Sequence, residues 1–165
     1  MNKAVLPVSL NLAAWITLAI AVGVPLFALP VLPDEIPRHY DFAGNVDAMG
    51  SKWVILTLPG ISLFVYGLIS AFQRGAPHFA QMNTQLGRPA PNIDQLRLLL
   101  QAIKACTMAV FAILGGRTIS IALEHPDLVP HWAVWILVAL IIAIPLASAM
   151  LTKNPASDSS TPTPA

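Results

Sequence analysis

Three side chains within one short stretch carry the donor types that site chemistry needs: His39, Asp41 and Asp47. An imidazole with two carboxylates matches the donor set of a divalent-metal site. His39 and Asp41 are two apart, so on a strand both face one way, and Asp47 returns to them across the turn offered by residues 43–45. The same groups can instead staple a loop, with the carboxylates accepting turn N–H groups and His39 donating to one of them. The staple, or a partner-binding surface, is the reading adopted, and no metal or cofactor is assigned. A calcium loop starting at Asp41 fails on spacing, because Ala43 and Val46 stand where a ligand oxygen and a glycine are needed, and Lys52 replaces the closing glutamate.

Catalytic signatures are missing. The chain has no G-x-S-x-G, no phosphate-binding glycine loop and no H-E-x-x-H. A lone Cys106 allows neither an internal disulfide nor a multi-cysteine metal site, and a thiol within an apolar span is inert. No catalytic residue is assigned and no enzyme is expected. Arg117 is the second residue of interest. It lies in a long apolar stretch, where a guanidinium needs a partner, and the acids of residues 32–52 (Asp34, Glu35, Asp41, Asp47) are the expected ones. Glu124, His125, Asp127 and His131 read as a solvated turn near the same end.

The elements that hold these residues follow from composition. Of 165 residues, 56% are hydrophobic and only 10% are charged, too few to cover a water-facing surface. A soluble globular enzyme, a disordered chain and a coiled coil are excluded. The net charge of +1 supplies no field for nucleic acid, which is excluded as a partner. Residues 4–33, 53–73 and 128–152 contain no Asp, Glu, Lys or Arg. Residues 98–122 are interrupted only by Lys104 and Arg117, which lie about 20 Å apart on a helix. Each then sits near one interface and snorkels, Lys104 inward and Arg117 outward.

The expected fold is an all-α integral membrane protein of four transmembrane helices, spanning about 9–31, 53–72, 96–122 and 131–151. These form one membrane domain, residues 1–152, with a structured extracytoplasmic loop, 32–52, between helices one and two. The first helix is expected to be retained although residues 19–21 offer an A-x-A-like cleavage site, because the apolar run continues past it. Pro25 and Pro30 bend or end that helix.

Orientation follows from Lys and Arg near the span ends. Loop 34–52 has two basic and four acidic residues, whereas loop 74–97 has Arg74, Arg88 and Arg97 against Asp94 alone. Lys3 and Lys153 flank the first and last spans. Both termini are therefore expected on the cytoplasmic side of a bacterial inner membrane. Trp53, Trp132 and Trp135 lie at expected interfaces. Gly75, Pro77, Gly87 and Pro91 make the inner loop irregular, with a short helical turn or two over 79–86, and Asn92 caps the third span with Asp94 in its first turn. Residues 153–165 are polar and low in complexity and read as a disordered cytoplasmic tail.

The stretch LPDEIPRHYDFAGNVDAMGSK, residues 32–52, is patterned unlike a linker. Pro33 and Pro37 fix two φ angles, Ile36, Tyr40, Phe42, Val46 and Met49 supply apolar anchors, and Gly44, Asn45 and Gly50 supply turns. Ile36, Arg38, Tyr40 and Phe42 alternate with His39 and Asp41, so a strand over 36–42 turns at 43–45 and folds back on the helix ends. Leu32, Pro33, Asp34, Ile36, Pro37, His39, Tyr40, Gly44, Asp47, Gly50, Ser51 and Lys52 together resemble the signature of the bacterial membrane domain-of-unknown-function family 1648. That domain also opens the longer SdpI-like proteins, which resemble immunity factors against a secreted toxin. Asp41 stands where the family usually has Asn, and the second membrane half of the SdpI-like proteins is not matched.

The resemblance implies a multi-pass protein that recognises an extracytoplasmic peptide or toxin, in an immunity-type or sensing role. The residues assigned to ligand recognition or loop structure are Pro33, Pro37, His39, Asp41, Gly44, Asp47, Gly50 and Lys52, with Arg117 for intramembrane pairing. Expected partners are membrane lipid, the extracytoplasmic ligand, and another membrane protein or a second copy of the chain. The alternative is an accessory subunit of a membrane transporter or complex.

Overall fold

The computed structural model of the chain describes residues 5–87, 92–126 and 130–152. Lys3, Arg88, Pro91, Asp127, Lys153 and the tail 153–165 lie outside them. The described chain is mostly helical. In order it runs α1 (Val5–Ala28), β1 (Glu35–Tyr40), β2 (Val46–Ser51), a 3-10 turn (Lys52–Leu56), α2 (Thr57–Gln85), α3 (Ile93–Ala122) and α4 (Trp132–Thr152). Three helices are long and apolar enough to cross a membrane, and α4 is a shorter apolar one. Leu12, Ile16, Phe27, Phe64 and Ile142 all stand exposed on the helix faces. Exposed apolar surface of this extent suits lipid and not water.

α3 is the central element and packs against α1, α2 and α4. Its start is capped as the sequence indicates: the Asn92 side chain accepts hydrogen bonds from the N–H groups of Asp94 and Gln95, both at 3.1 Å. Gly115 lies at the junction of α3 with α1 and α2, where a Cβ would make ordinary contact with Pro25 (3.4 Å) and Leu58 (3.7 Å). α1 passes through Pro25 and stops at Ala28, two residues before Pro30.

Two features depart from the sequence reading. α2 does not break at Gly75 and Pro77 but continues to Gln85, so residues 79–86 are the end of a long helix and not a separate turn. Ala76 and Ala80 are buried on that extension, and their packing outweighs the hydrogen bond that Pro77 removes. Lys104 does not snorkel. It is 4% exposed, held between α2 and α3 by hydrogen bonds from its Nζ to Gln73 Oε1 (2.9 Å) and Ser70 Oγ (3.4 Å). Cys106 is only half-buried.

The segment between α1 and α2 is a two-stranded antiparallel hairpin, which adds a small sheet to the expected all-helical architecture. Its foot is a core of Leu32, Ile36, Ile55 and Ile119, joining the end of α1, the hairpin, the 3-10 turn and the end of α3. Ile36 is fully buried there, so the hairpin is plugged into the bundle by an apolar side chain.

Candidate functional site

The hairpin begins where chain direction reverses after α1. Lys52 Nζ lies 3.0 Å from Asp34 Oδ1, and the Lys52 N–H donates to the Asp34 carbonyl at 2.9 Å, so one residue pair closes the base twice. Above it the register runs Glu35 with Ser51, Ile36 with Gly50, Pro37 with Met49, His39 with Ala48 and Tyr40 with Val46. That pairing leaves Arg38 unmatched on β1 and Asp47 unmatched on β2. Pro37 has no N–H to give the ladder, which favours irregular pairing beside it.

These two bulges redistribute the faces. Strict alternation over 36–42 puts Ile36, Arg38, Tyr40 and Phe42 together; instead Ile36 and Pro37 are both buried, Arg38 is exposed and Phe42 is 86% exposed. Arg38 lays its aliphatic stem over Gly50, where an added Cβ would meet Arg38 Cδ at 3.0 Å. The bulged Asp47 aims its carboxylate at His39, whose Nδ1 lies 2.7 Å from Oδ1 and 2.9 Å from Oδ2.

Asp41 takes no part in that pair. It lies beyond the end of β1 and builds the turn: its carboxylate accepts from the Asn45 N–H (2.8 Å) and from Asn45 Nδ2 (3.0 Å). Its own N–H donates to the Asn45 carbonyl and its carbonyl accepts from the Gly44 N–H. The Asn45 side chain, helped by the N–H groups of Asn45, Ala43 and Gly44, holds the Asp41 carboxyl below the usual carboxylate range against a small opposing effect of burial. The three residues grouped by spacing are thus a pair and a separate turn staple. Among the described residues no cluster of three His, Cys, Asp or Glu side chains could hold a metal ion.

The turn is seated on α3 and α4. Gly44 has φ +86°, and a Cβ there would sit 2.7 Å from His131 Cβ, so both the conformation and the close approach require glycine. Arg117 Nη2 donates to the Gly44 carbonyl at 3.4 Å, and the guanidinium lies 5.7 Å from the Tyr40 ring centroid. Tyr40 Oη lies 3.0 Å from Thr118 Oγ1, and Phe42 stacks on Trp135 at 5.7 Å between centroids. Arg117 therefore meets the loop at a backbone carbonyl and a ring, while Asp34, Asp47 and Asp41 are engaged by Lys52, His39 and Asn45.

A cleft of about 250 Å³ opens between the turn and the ends of α3 and α4, lined by Arg38, His39, Tyr40, Asp41, Gly44, Leu114, Arg117, His131, Val134 and Trp135. It brings two guanidinium groups, two imidazoles, an aromatic wall and one carboxylate to a single opening. Of the residues expected to matter, His39, Asp41, Gly44 and Arg117 line it; Asp34, Asp47, Gly50 and Lys52 shape the hairpin behind it. Pro37 packs inward, and Pro33 is exposed before the strand. Thr118 has no local sequence signal, and the sequence places His131 and Trp135 near this end without joining them to the turn, because these contacts arise only when distant helix ends meet it.

Residues 16–63 match the family model described as domain of unknown function (DUF1648). The match covers the later part of α1, the whole hairpin, the 3-10 turn and the start of α2. The seat on α3 and α4 falls outside it. No curated protein and no solved structure matches the chain.

Proposed function

We propose that the chain is a multi-pass inner-membrane protein whose hairpin faces the extracytoplasmic side and recognises a peptide or toxin there, in an immunity-type or sensing role. Three membrane spans and the shorter α4 carry it, with both termini cytoplasmic. Support for the orientation comes from the basic residues Arg74 and Arg97 at the end away from the hairpin, and from the four acids of the hairpin segment.

The observation that carries the reading is the cleft under the turn. Arg38 and Arg117 give it two cations and His39 and His131 two imidazoles, set in a largely apolar lining with Tyr40 and Trp135 as aromatic surface. Such a lining suits an acidic group beside an apolar side chain, as at a peptide terminus or an acidic peptide side chain. The His39–Asp47 pair, exposed at the rim, is well placed to make the first polar contacts. The resemblance of the hairpin segment to SdpI-like proteins favours a toxin as the ligand.

The test is complementation of a deletion strain with His39→Ala, Asp47→Ala and Lys52→Ala. All three variants are expected to insert normally, and at least one to lose rescue. Full rescue by all three would sink the recognition reading. A stoichiometric membrane partner retained in mild detergent, with rescue insensitive to these variants, would favour an accessory subunit instead.

A further inference from the structure

A second polar site lies at the other end of the bundle, some 20 Å along α3 from Arg117 at 1.5 Å per residue. Lys104 is buried there, yet its partners are all neutral: Gln73 Oε1, Ser70 Oγ and the Tyr66 ring, 4.7 Å from Nζ to centroid. Arg74 and Arg97 stand at the same cleft, which has a volume of about 470 Å³. No Asp or Glu lines it among the described residues, and none of the three cations has a carboxylate partner there. A buried cation without a counter-charge is strongly unfavourable. The cleft therefore suits an anion.

The unsatisfied groups say more. Because Gln73 Oε1 accepts from Lys104, the orientation of that amide is fixed, and its Nε2 is left as a buried donor with no partner. Gln101 Oε1 is a buried acceptor with no partner. An anion in the cleft can accept from the two guanidinium groups, and a hydroxyl on it suits the Gln101 acceptor. The wall of the cleft carries Trp15 and Tyr66, whose rings lie 5.0 Å apart.

We infer that this cleft holds the headgroup of an anionic phospholipid bearing hydroxyls, of the phosphatidylglycerol type. The phosphate sits among Lys104, Arg74 and Arg97, and the glycerol hydroxyl meets Gln101. Leu12 and Leu68, next in sequence to the lining residues Asn11 and Gly67, are exposed and offer apolar surface for the acyl chains. Basic pockets between spans on the cytoplasmic side are a recurrent form of headgroup recognition. This site is separate from the hairpin, and either can fail without the other.

The experiment is native mass spectrometry of the full chain in neutral detergent with phosphatidylglycerol, phosphatidylcholine or inorganic phosphate added. Phosphatidylglycerol should be retained in preference to phosphatidylcholine, and inorganic phosphate should not displace it. Arg97→Gln and Arg74→Gln, at the exposed mouth, should each weaken retention about fivefold, as expected for one cation at a membrane surface. Arg97→Lys should restore most of it. Lys104→Gln should weaken it further, and the two arginine variants decide the matter if that variant fails to fold. Equal retention of both lipids, unchanged retention in both arginine variants, or displacement by inorganic phosphate would overturn the inference.

Discussion

Tyr40 Oη and Thr118 Oγ1 lie 3.0 Å apart although 78 residues separate them in the chain. Thr118 is buried, so this bond fixes the end of β1 against α3 where water does not compete freely. Tyr40→Phe and Thr118→Val should each destabilise the protein by about 1 kcal/mol, the usual net value of such a bond. The double variant should cost clearly less than the sum, because the two residues act on one interaction. Denaturant unfolding in detergent micelles measures all three. Additive losses would mean that the hydroxyls act independently.

Gly44 and Gly87 both have positive φ, +86° and +68°, but only Gly44 is crowded, by His131. Gly87→Ala should cost about 1–2 kcal/mol from backbone conformation alone. Gly44→Ala adds a clash with His131 and should cost more, lifting the turn from its seat. Melting temperatures of the two variants check the order, and His131→Gly should recover part of the Gly44→Ala loss. Equal melting temperatures for the two alanine variants would contradict the crowded seat.

Ile36 is the plug between hairpin and bundle, fully buried among Leu32, Ile55 and Ile119. Ile36→Ala should destabilise by about 2–5 kcal/mol, within the range for emptying a packed core position. The exposed pair behaves differently. His39→Ala and Asp47→Ala should each change stability by less than about 1 kcal/mol, as surface ion pairs do. A large stability loss from either would mean that the pair is structural, not part of a recognition rim.

The Asp41 carboxyl is held below its ordinary range by hydrogen bonds to the ionised form. Its contribution to the turn is therefore complete above the unfolded value, about 3.9, and is lost as pH falls through the lower folded value. Protection of the Gly44 and Asn45 amides from hydrogen exchange should hold at pH 5 and fail only under stronger acid. Asp41→Asn should remove this acid transition. Loss of protection between pH 5 and pH 7 would show that another group controls the turn.

How far the sequence reveals this arrangement depends on the range of the forces involved. Long charge-free runs make the helices legible, since a backbone in lipid has few alternatives to a helix. The turn is legible from Asp41, Gly44 and Asn45, because its hydrogen bonds are local. The register is not, because the bulges at Arg38 and Asp47 belong to a hairpin whose turn must meet Arg117, Thr118 and His131. The continuation of α2 past Gly75 and Pro77 is hidden for the same reason: Ala76 and Ala80 are buried by tertiary packing that overrides local breakers. Lys104 reads as an interfacial lysine until Ser70 and Gln73 of α2 are placed beside it.

The central claim of the proposal is that the hairpin lies on the extracytoplasmic side of the membrane. Ala43 is exposed at the tip of the turn, and Cys106 is the one native thiol, so Ala43→Cys in a Cys106→Ala background gives a single reporter. Intact cells treated with a membrane-impermeant maleimide should label this cysteine fully, with no gain on lysis. Labelling that occurs only after lysis would place the hairpin in the cytoplasm and contradict the claim.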